Sequence, residues 1–331
     1  MNVEIAGAGL MGRLIGWRLC ERGATVTLYE RAPRAAPQSA AHAAAAMLAP
    51  ASEYPDADPV IFELGKRSLE LWPPLLDALA VPYSMGGSLL VAHGPDGPLL
   101  DKFHRSLGAA GANEARWVDG NGIEALEPAL AGRFQRGLYL PNEGCLDNRA
   151  LLDALEPRCG RIRYGHAVDP RDLRAGIVID CRGAGAGLEG LRGVRGEAIR
   201  VHAPEVELSR PVRLMHPRYQ LYAAPRPGNE YVIGATQIES DSLQGVTVRS
   251  ALELLSAAFA LHAGFAEAEI LELCTGLRPA FTDNLPRIEW DGGVLRVNGL
   301  YRHGFLIAPA LVDHVLAEID DIPYSRRTVA R

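Results

Sequence analysis

The chain has 331 residues, 48% of them hydrophobic and 22% charged, with a formal net charge of −6. That length exceeds one small core and suits two domains of ordinary size, and the composition excludes a disordered or fibrous protein. An acidic balance without a long basic run argues against nucleic acid or an anionic membrane as partner. Cys20, Cys145, Cys159, Cys181 and Cys274 are scattered, odd in number and form no C-x-x-C pair. They read as reduced thiols of a cytoplasmic protein, and no metal site is expected. Glu4 and a glycine turn stand where a signal peptide would need a basic start. The longest uncharged stretch, 35–52, is mostly alanine with two prolines and makes a poor bilayer span.

Residues 1–30 carry the strongest local pattern. Val3 and Ile5 alternate with polar residues in a strand, and Gly7-Ala-Gly9-Leu10-Met11-Gly12 follows. A helix over 11–22 then ends at Gly23, and a second strand over 25–29 leads to Glu30. Strand, glycine turn, helix, strand and acid compose a dinucleotide-binding unit. Gly7 permits the tight turn, Gly9 admits a pyrophosphate to the backbone, and Gly12 lets the helix lie close on the strand. The helix N-terminus offers N–H groups and a positive dipole end. Glu30 stands where a carboxylate accepts both ribose hydroxyls, and it repels a 2′-phosphate even with Arg31 adjacent. These residues leave NAD and FAD equally open.

A proline-rich loop over 31–37 leads to a run of small residues. Its alanines either let backbone lie against something large and flat or form a tightly packed helix over 43–48. A helix over 61–79 follows, with Pro73 and Pro74 expected to kink or split it. Strands are read at 86–92 and 137–140, and helices near 98–110 and 122–126. Asp147 N-caps a helix over 149–155. The apolar strand 177–181 runs into the glycine-rich turn 182–187, a second place for backbone to meet a flat cofactor. Strands over 219–224 and 231–237 flank the turn Arg226-Pro-Gly-Asn229 as a hairpin. An amphipathic helix over 247–260, a strand over 294–298, a loop over 299–304 and a helix over 305–319 close the chain.

Several segments together carry a resemblance. They are the first thirty residues, Ala43-Ala-Ala-Ala-Met47-Leu-Ala-Pro50, Gly144-Cys-Leu-Asp-Asn-Arg149 and Tyr222-Ala-Ala-Pro-Arg226. Tyr231-Val-Ile-Gly234-Ala-Thr, Thr275-Gly-Leu-Arg278-Pro and Gly299-Leu-Tyr-Arg302-His-Gly304 follow in the same order. The chain resembles the glycine oxidase group of the D-amino-acid oxidase superfamily, a group associated with thiamine biosynthesis. The resemblance selects FAD, and it implies an α/β (α+β overall) fold with a Rossmann-like FAD-binding domain and an inserted antiparallel β-sheet substrate domain. The division expected is 1–80, 140–195 and 285–331 for FAD, and 81–139 and 196–284 for substrate. The implied reaction oxidises glycine, sarcosine or a small D-amino acid by hydride transfer to flavin. The imino acid then hydrolyses to the oxo acid and ammonia, and oxygen leaves as hydrogen peroxide. A dehydrogenase passing electrons to another acceptor is the neighbouring reading, and an NAD-dependent enzyme a more distant one. Relatives are often homo-oligomers.

The resemblance also assigns residues. Arg278 takes the substrate carboxylate, since a guanidinium supplies a bidentate fork, and Pro279 holds its backbone extended. Tyr222 assists with its hydroxyl, and Arg302 stands at the edge between flavin and substrate. Met47 and Gln237 line the substrate pocket, Gln237 replacing an apolar methionine of the family pattern. The FAD contacts expected are Gly7, Gly9, Leu10, Met11, Gly12, Glu30, Arg31, Ala44, Ala45, Ala46, Met47, Gly183, Gly276, Arg278, Arg302, His303, Gly304, Phe305 and Leu306. His303 is read as structural rather than catalytic. Cys274 does not match the flavin-linking cysteine of sarcosine-oxidase-like relatives, so FAD is expected to be held non-covalently.

Overall fold

A computed structural model describes residues 1–35, 37–108, 113–218 and 220–321. Ala36 of the proline-rich loop, Ala109 and Ala110 of the helix predicted over 98–110, Tyr219 of the predicted hairpin and residues 322–331 of the expected FAD domain lie outside them.

Two sheets organise the chain. The first runs Arg287–Asp291, Val294–Asn298, Ile177–Asp180, Asn2–Ala6, Thr25–Glu30, Arg161–Tyr164, parallel throughout except for the first pair. One face of its central strands is apolar: Val3, Ile5, Ile177 and Ile179 share a face by register and are buried in one core cluster with residues of the helices that pack on it, while Glu4 and Thr27 on the other face are partly exposed. The helix Leu10–Glu21 buries Leu14, Ile15 and Leu19. Gly23 ends it with φ +80°, a left-handed conformation that glycine adopts without strain.

The helix Gly304–Asp320 is apolar on nearly every side and packs against both Leu10–Glu21 and Pro59–Leu79. Pro309 lies inside it and has no N–H to give the carbonyl of Phe305. The indole N–H of fully buried Trp72 donates to that carbonyl instead, at 2.8 Å. Trp72→Phe therefore strands a buried acceptor as well as losing volume. It is expected to lower unfolding stability by about 1–3 kcal/mol in a urea titration of the FAD-loaded protein. The helix Pro59–Leu79 itself runs unbroken through Pro73 and Pro74, against the expected split. Pro74 and Glu70, whose carbonyl loses its amide partner, are both exposed, so water can serve that carbonyl.

In the second sheet Arg192–His202 pairs along its length with Glu269–Ala280, and on its other edge with Glu230–Gly234 and Ile238–Glu239. Gln220–Arg226, Val212–Met215, Ser88–Val91, Arg136–Leu140 and Arg116–Asp119 continue it. Pairing is antiparallel, as expected of the inserted sheet, except between Val212–Met215 and Ser88–Val91, which run parallel. The helix Val248–Leu261, N-capped by Thr247, covers one face, packing Leu254, Ala257, Ala258 and Leu261 against Ile199, Ala223 and Ile233. The opposite face turns to the functional cavity. Among the described residues, no helix is long and apolar enough to cross a membrane.

Candidate functional site

A cavity of about 470 Å³ lies between the two sheets. Of the residues singled out from the sequence, all but Gly12 line it. Gly12 acts one layer behind. A Cβ there would stand 2.0 Å from the carbonyl oxygen of Gly7, so only glycine lets the helix sit on its turn. Gly7 adopts φ +99°, and its missing side chain would meet Cys181 O at 2.4 Å. The missing side chain of Gly9, by contrast, points into space, with Ser39 Cβ the nearest atom at 3.8 Å. No side chain caps the helix at Gly9, so its dipole end faces the cavity.

Glu30 closes this end. One carboxylate oxygen accepts from Ala8 N at 3.1 Å and the other from Ala32 N at 3.0 Å. Both oxygens keep further lone pairs for hydroxyl donors. Arg31 lies over Gly185 in the turn Gly183–Ala186, where a Cβ would come within 3.0 Å of its guanidinium. Asn298 Nδ2 donates to the Gly183 carbonyl at 3.0 Å and fixes that turn.

The alanine run is not the helix that one reading allowed over 43–48. A single turn, Ala40–Ala43, gives way to extended backbone at Ala44, a left-handed Ala46 (φ +48°) and the strand Met47–Leu48. Residues 44–47 line the cavity and are pinned from behind. Arg226 Nη2 donates to Ala45 O at 2.6 Å, and Asn148 Nδ2 donates to Ala41 O at 2.8 Å and His42 O at 3.0 Å.

The facing wall is one face of the second sheet. Cross-strand register places Arg213 opposite Tyr222, Tyr222 opposite Gly234, Gly234 opposite Ala198 and Ala198 opposite Cys274. Alternation brings Gly196, Gly276 and Arg278 onto the same face. Three glycines make room on it. A Cβ at 196 would meet the Arg278 guanidinium at 2.4 Å, one at 234 the Tyr222 hydroxyl at 2.8 Å, and one at 276 the Ala43 Cβ at 3.1 Å. Arg278 is held by Nη1 donating to Thr236 O at 3.0 Å. Burial pulls its pKa down and pushes that of Tyr222 up, and each group's charge acts on the other. At neutral pH they stay a guanidinium and a phenol.

Arg302 also lines the cavity. Its Nε lies 2.6 Å from Glu53 Oε2 in an ion pair, Nη2 lies 3.6 Å from Asp56, and Nη1 donates to Gln237 Oε1 at 3.3 Å. Gln237 thus turns its side chain to the cavity. Because arginine only donates, the Gln237 carbonyl faces Arg302 and its NH₂ faces away. Burial pushes the Glu53 carboxyl up, but Arg302, His303 and Arg213 outweigh it and leave it below the usual range. Burial takes buried His303 down to about 4, so it is neutral at physiological pH.

Among the cavity residues that the sequence reading does not single out are Glu53 and Arg213, both charged. Arg213 had a signal, a lone cation between Val212 and Leu214 in an apolar strand. Glu53 had none, because only the packing of the short helix Pro50–Glu53 brings it to Arg302. Cys274 does not line the cavity, and burial first of all pushes its thiol up to about 11, which leaves it protonated. Among the described residues, no group of three or more His, Cys, Asp or Glu could hold a metal ion.

The empty space over Gly9, the bare helix end, the Glu30 carboxylate and the flat alanine strip fit an adenine dinucleotide with a planar ring system. Comparison with known proteins agrees. Residues 2–318 match the model of the family described as FAD dependent oxidoreductase (DAO). The chain is 44% identical, over 95% of both chains, to a "Putative thiamine biosynthesis oxidoreductase ThiO" of Rhizobium etli. It is 26% identical to the "Glycine oxidase" of Geobacillus kaustophilus, over 93% of this chain and 90% of that one. A crystal structure of glycine oxidase from Geobacillus kaustophilus superposes with a TM-score of 0.82 at 24% identity, covering 99% of this chain and 98% of the other.

Proposed function

We infer that this chain, which belongs to the FAD dependent oxidoreductase family, oxidatively deaminates glycine or a similarly small amino acid. The Rhizobium etli and Geobacillus kaustophilus relatives, by name a thiamine biosynthesis oxidoreductase and a glycine oxidase, support an amino-acid oxidase that uses FAD. The observation that carries the substrate class is Arg278 beside Tyr222 on the cavity wall, with Met47 packed in the same cluster as Tyr222. A half-buried guanidinium with a phenol beside it suits one carboxylate. We assign 1–80, 140–195 and 285–331 to the FAD-binding domain and 81–139 and 196–284 to the substrate domain; the first sheet lies within the former, and the second lies within the latter but for Leu140 and Arg192 to Arg195.

FAD supplies the two-electron acceptor in this reaction. Gly7, Gly9, Leu10 and Met11 would hold its pyrophosphate, Glu30 its ribose, and residues 44–47 its ring. Arg278 and Tyr222 fix the substrate by its carboxylate, which sets the Cα–H direction. The substrate amine enters neutral, so no side chain acts as general base. Arg302 and the N-terminal end of Gly304–Asp320 would lie beside the ring, where a guanidinium and a helix dipole end favour uptake of electrons. The overall reaction balances as one amino acid, one oxygen and one water giving one oxo acid, one ammonia and one hydrogen peroxide.

The absorption spectrum of the purified protein, recorded before and after anaerobic addition of glycine, tests this. Flavin bands that bleach on addition, with peroxide formed on readmitting air, are the expected outcome. Bands that persist with glycine, sarcosine and D-alanine alike would overturn the substrate class.

A further inference from the structure

Behind the cavity, outside its lining, lies a carboxyl group that the reaction does not use. Glu143 is fully buried at the turn between Arg136–Leu140 and Gly144–Leu146. Its Oε1 accepts from Ser52 N at 2.6 Å, and its Oε2 accepts from Ser52 Oγ at 2.8 Å and from Ser88 Oγ. Arg213, on the strand beside Ser88–Val91, donates to the carbonyl oxygen of the same Ser52 at 3.2 Å. Ser52 is therefore held at its N–H, its hydroxyl and its carbonyl. The next residue along is Glu53, whose carboxylate meets Arg302.

We propose that Glu143 is a positioning residue: through Ser52 it sets Glu53 against Arg302, and it does so fully only when ionised. The proposal rests on the reading of the cavity as an amino-acid oxidase site. An ionised carboxylate is acceptor-only and takes all three donors at once. Once protonated, it must donate its own O–H, so a serine hydroxyl has to turn from donor to acceptor and the hold on Ser52 loosens. The surroundings put this change within reach. Burial pushes Glu143 up to about 7, against the opposing pull of the Ser88 and Ser52 hydrogen bonds and the Arg213 charge. Arg213 faces it from the neighbouring strand, Ser52 and Ser88 are neutral, and Glu53 is the ionisable neighbour along Pro50–Glu53.

The test uses FAD-loaded enzyme and follows kcat for glycine from pH 5.5 to 9. Wild type is expected to gain activity with a midpoint near 7. Glu143→Gln, neutral at every pH, should lose that limb and stay at the low-pH level, with FAD affinity within about threefold. Ser88→Ala removes one donor to the charged form and should move the midpoint upward, which a purely structural contact would not do. A limb that survives in Glu143→Gln, or an unmoved midpoint in Ser88→Ala, overturns the proposal. Dithionite titration of the bound flavin separates the two readings because it needs no substrate. Should no amine bleach the flavin, the oxidase reading fails. Glu143 is then judged on the flavin midpoint potential, which Glu143→Gln should shift from the wild-type value at pH 8 and leave at the wild-type value at pH 6. Equal potentials at both would overturn it.

Discussion

Arg278→Ala is expected to raise KM for glycine by about 100-fold or more, the order of ~3 kcal/mol for a buried charged pair that loses one partner. Flavin content should stay at the wild-type level. The separation follows from where the guanidinium lies. It rests over Gly196 and is fixed by the Thr236 carbonyl, so removing it takes away the proposed carboxylate contact without disturbing the glycine turn or the alanine strip. Lysine at 278 would keep the charge but not the fork, and should recover only part of the loss. Steady-state kinetics and the visible spectrum of each variant check this. A KM within threefold of wild type would remove Arg278 from carboxylate binding.

Gly12→Ala and Gly9→Ala are expected to fail in different ways. At 12 the new methyl meets backbone at 2.0 Å, and neither the turn nor the helix can yield cheaply. Both apoprotein stability and FAD affinity should fall, the former by about 2 kcal/mol or more, as for overpacking in a tight site. At 9 the methyl meets no protein atom closer than Ser39 Cβ at 3.8 Å. Apoprotein stability should hold within about 0.5 kcal/mol, while FAD affinity drops because the methyl occupies the ligand's side of the turn. Urea denaturation of the apoproteins and fluorescence titration with FAD separate the two. Equal loss of apoprotein stability would contradict the geometry of the turn.

The nucleotide end was legible because it is local. Thirty consecutive residues hold strand, turn, helix, strand and acid, and each glycine acts on atoms a few residues away or on the adjacent strand. The alanine run was legible as small but not as extended, since alanine favours helix as readily as close contact. Its conformation is decided by Arg226 and Asn148, more than a hundred residues further on. Arg278 and Tyr222 were singled out through family resemblance rather than through physics, because what makes them neighbours is the register of four strands. Glu53 and Arg213 show the same limit. An exposed glutamate and a cavity glutamate look alike in sequence, and only the seating of Ser52 distinguishes them.

The wall that faces the alanine strip also limits what directed change can do. At 196, 234 and 276 the side chain is already the smallest available, and each vacancy is filled by Arg278, Tyr222 or the Ala40–Ala43 turn. Trimming cannot enlarge the site from this side, and any replacement there can only narrow it. Acceptance of bulkier amines has to be engineered from the far side, at Met47 or Gln237, where there is still volume to remove.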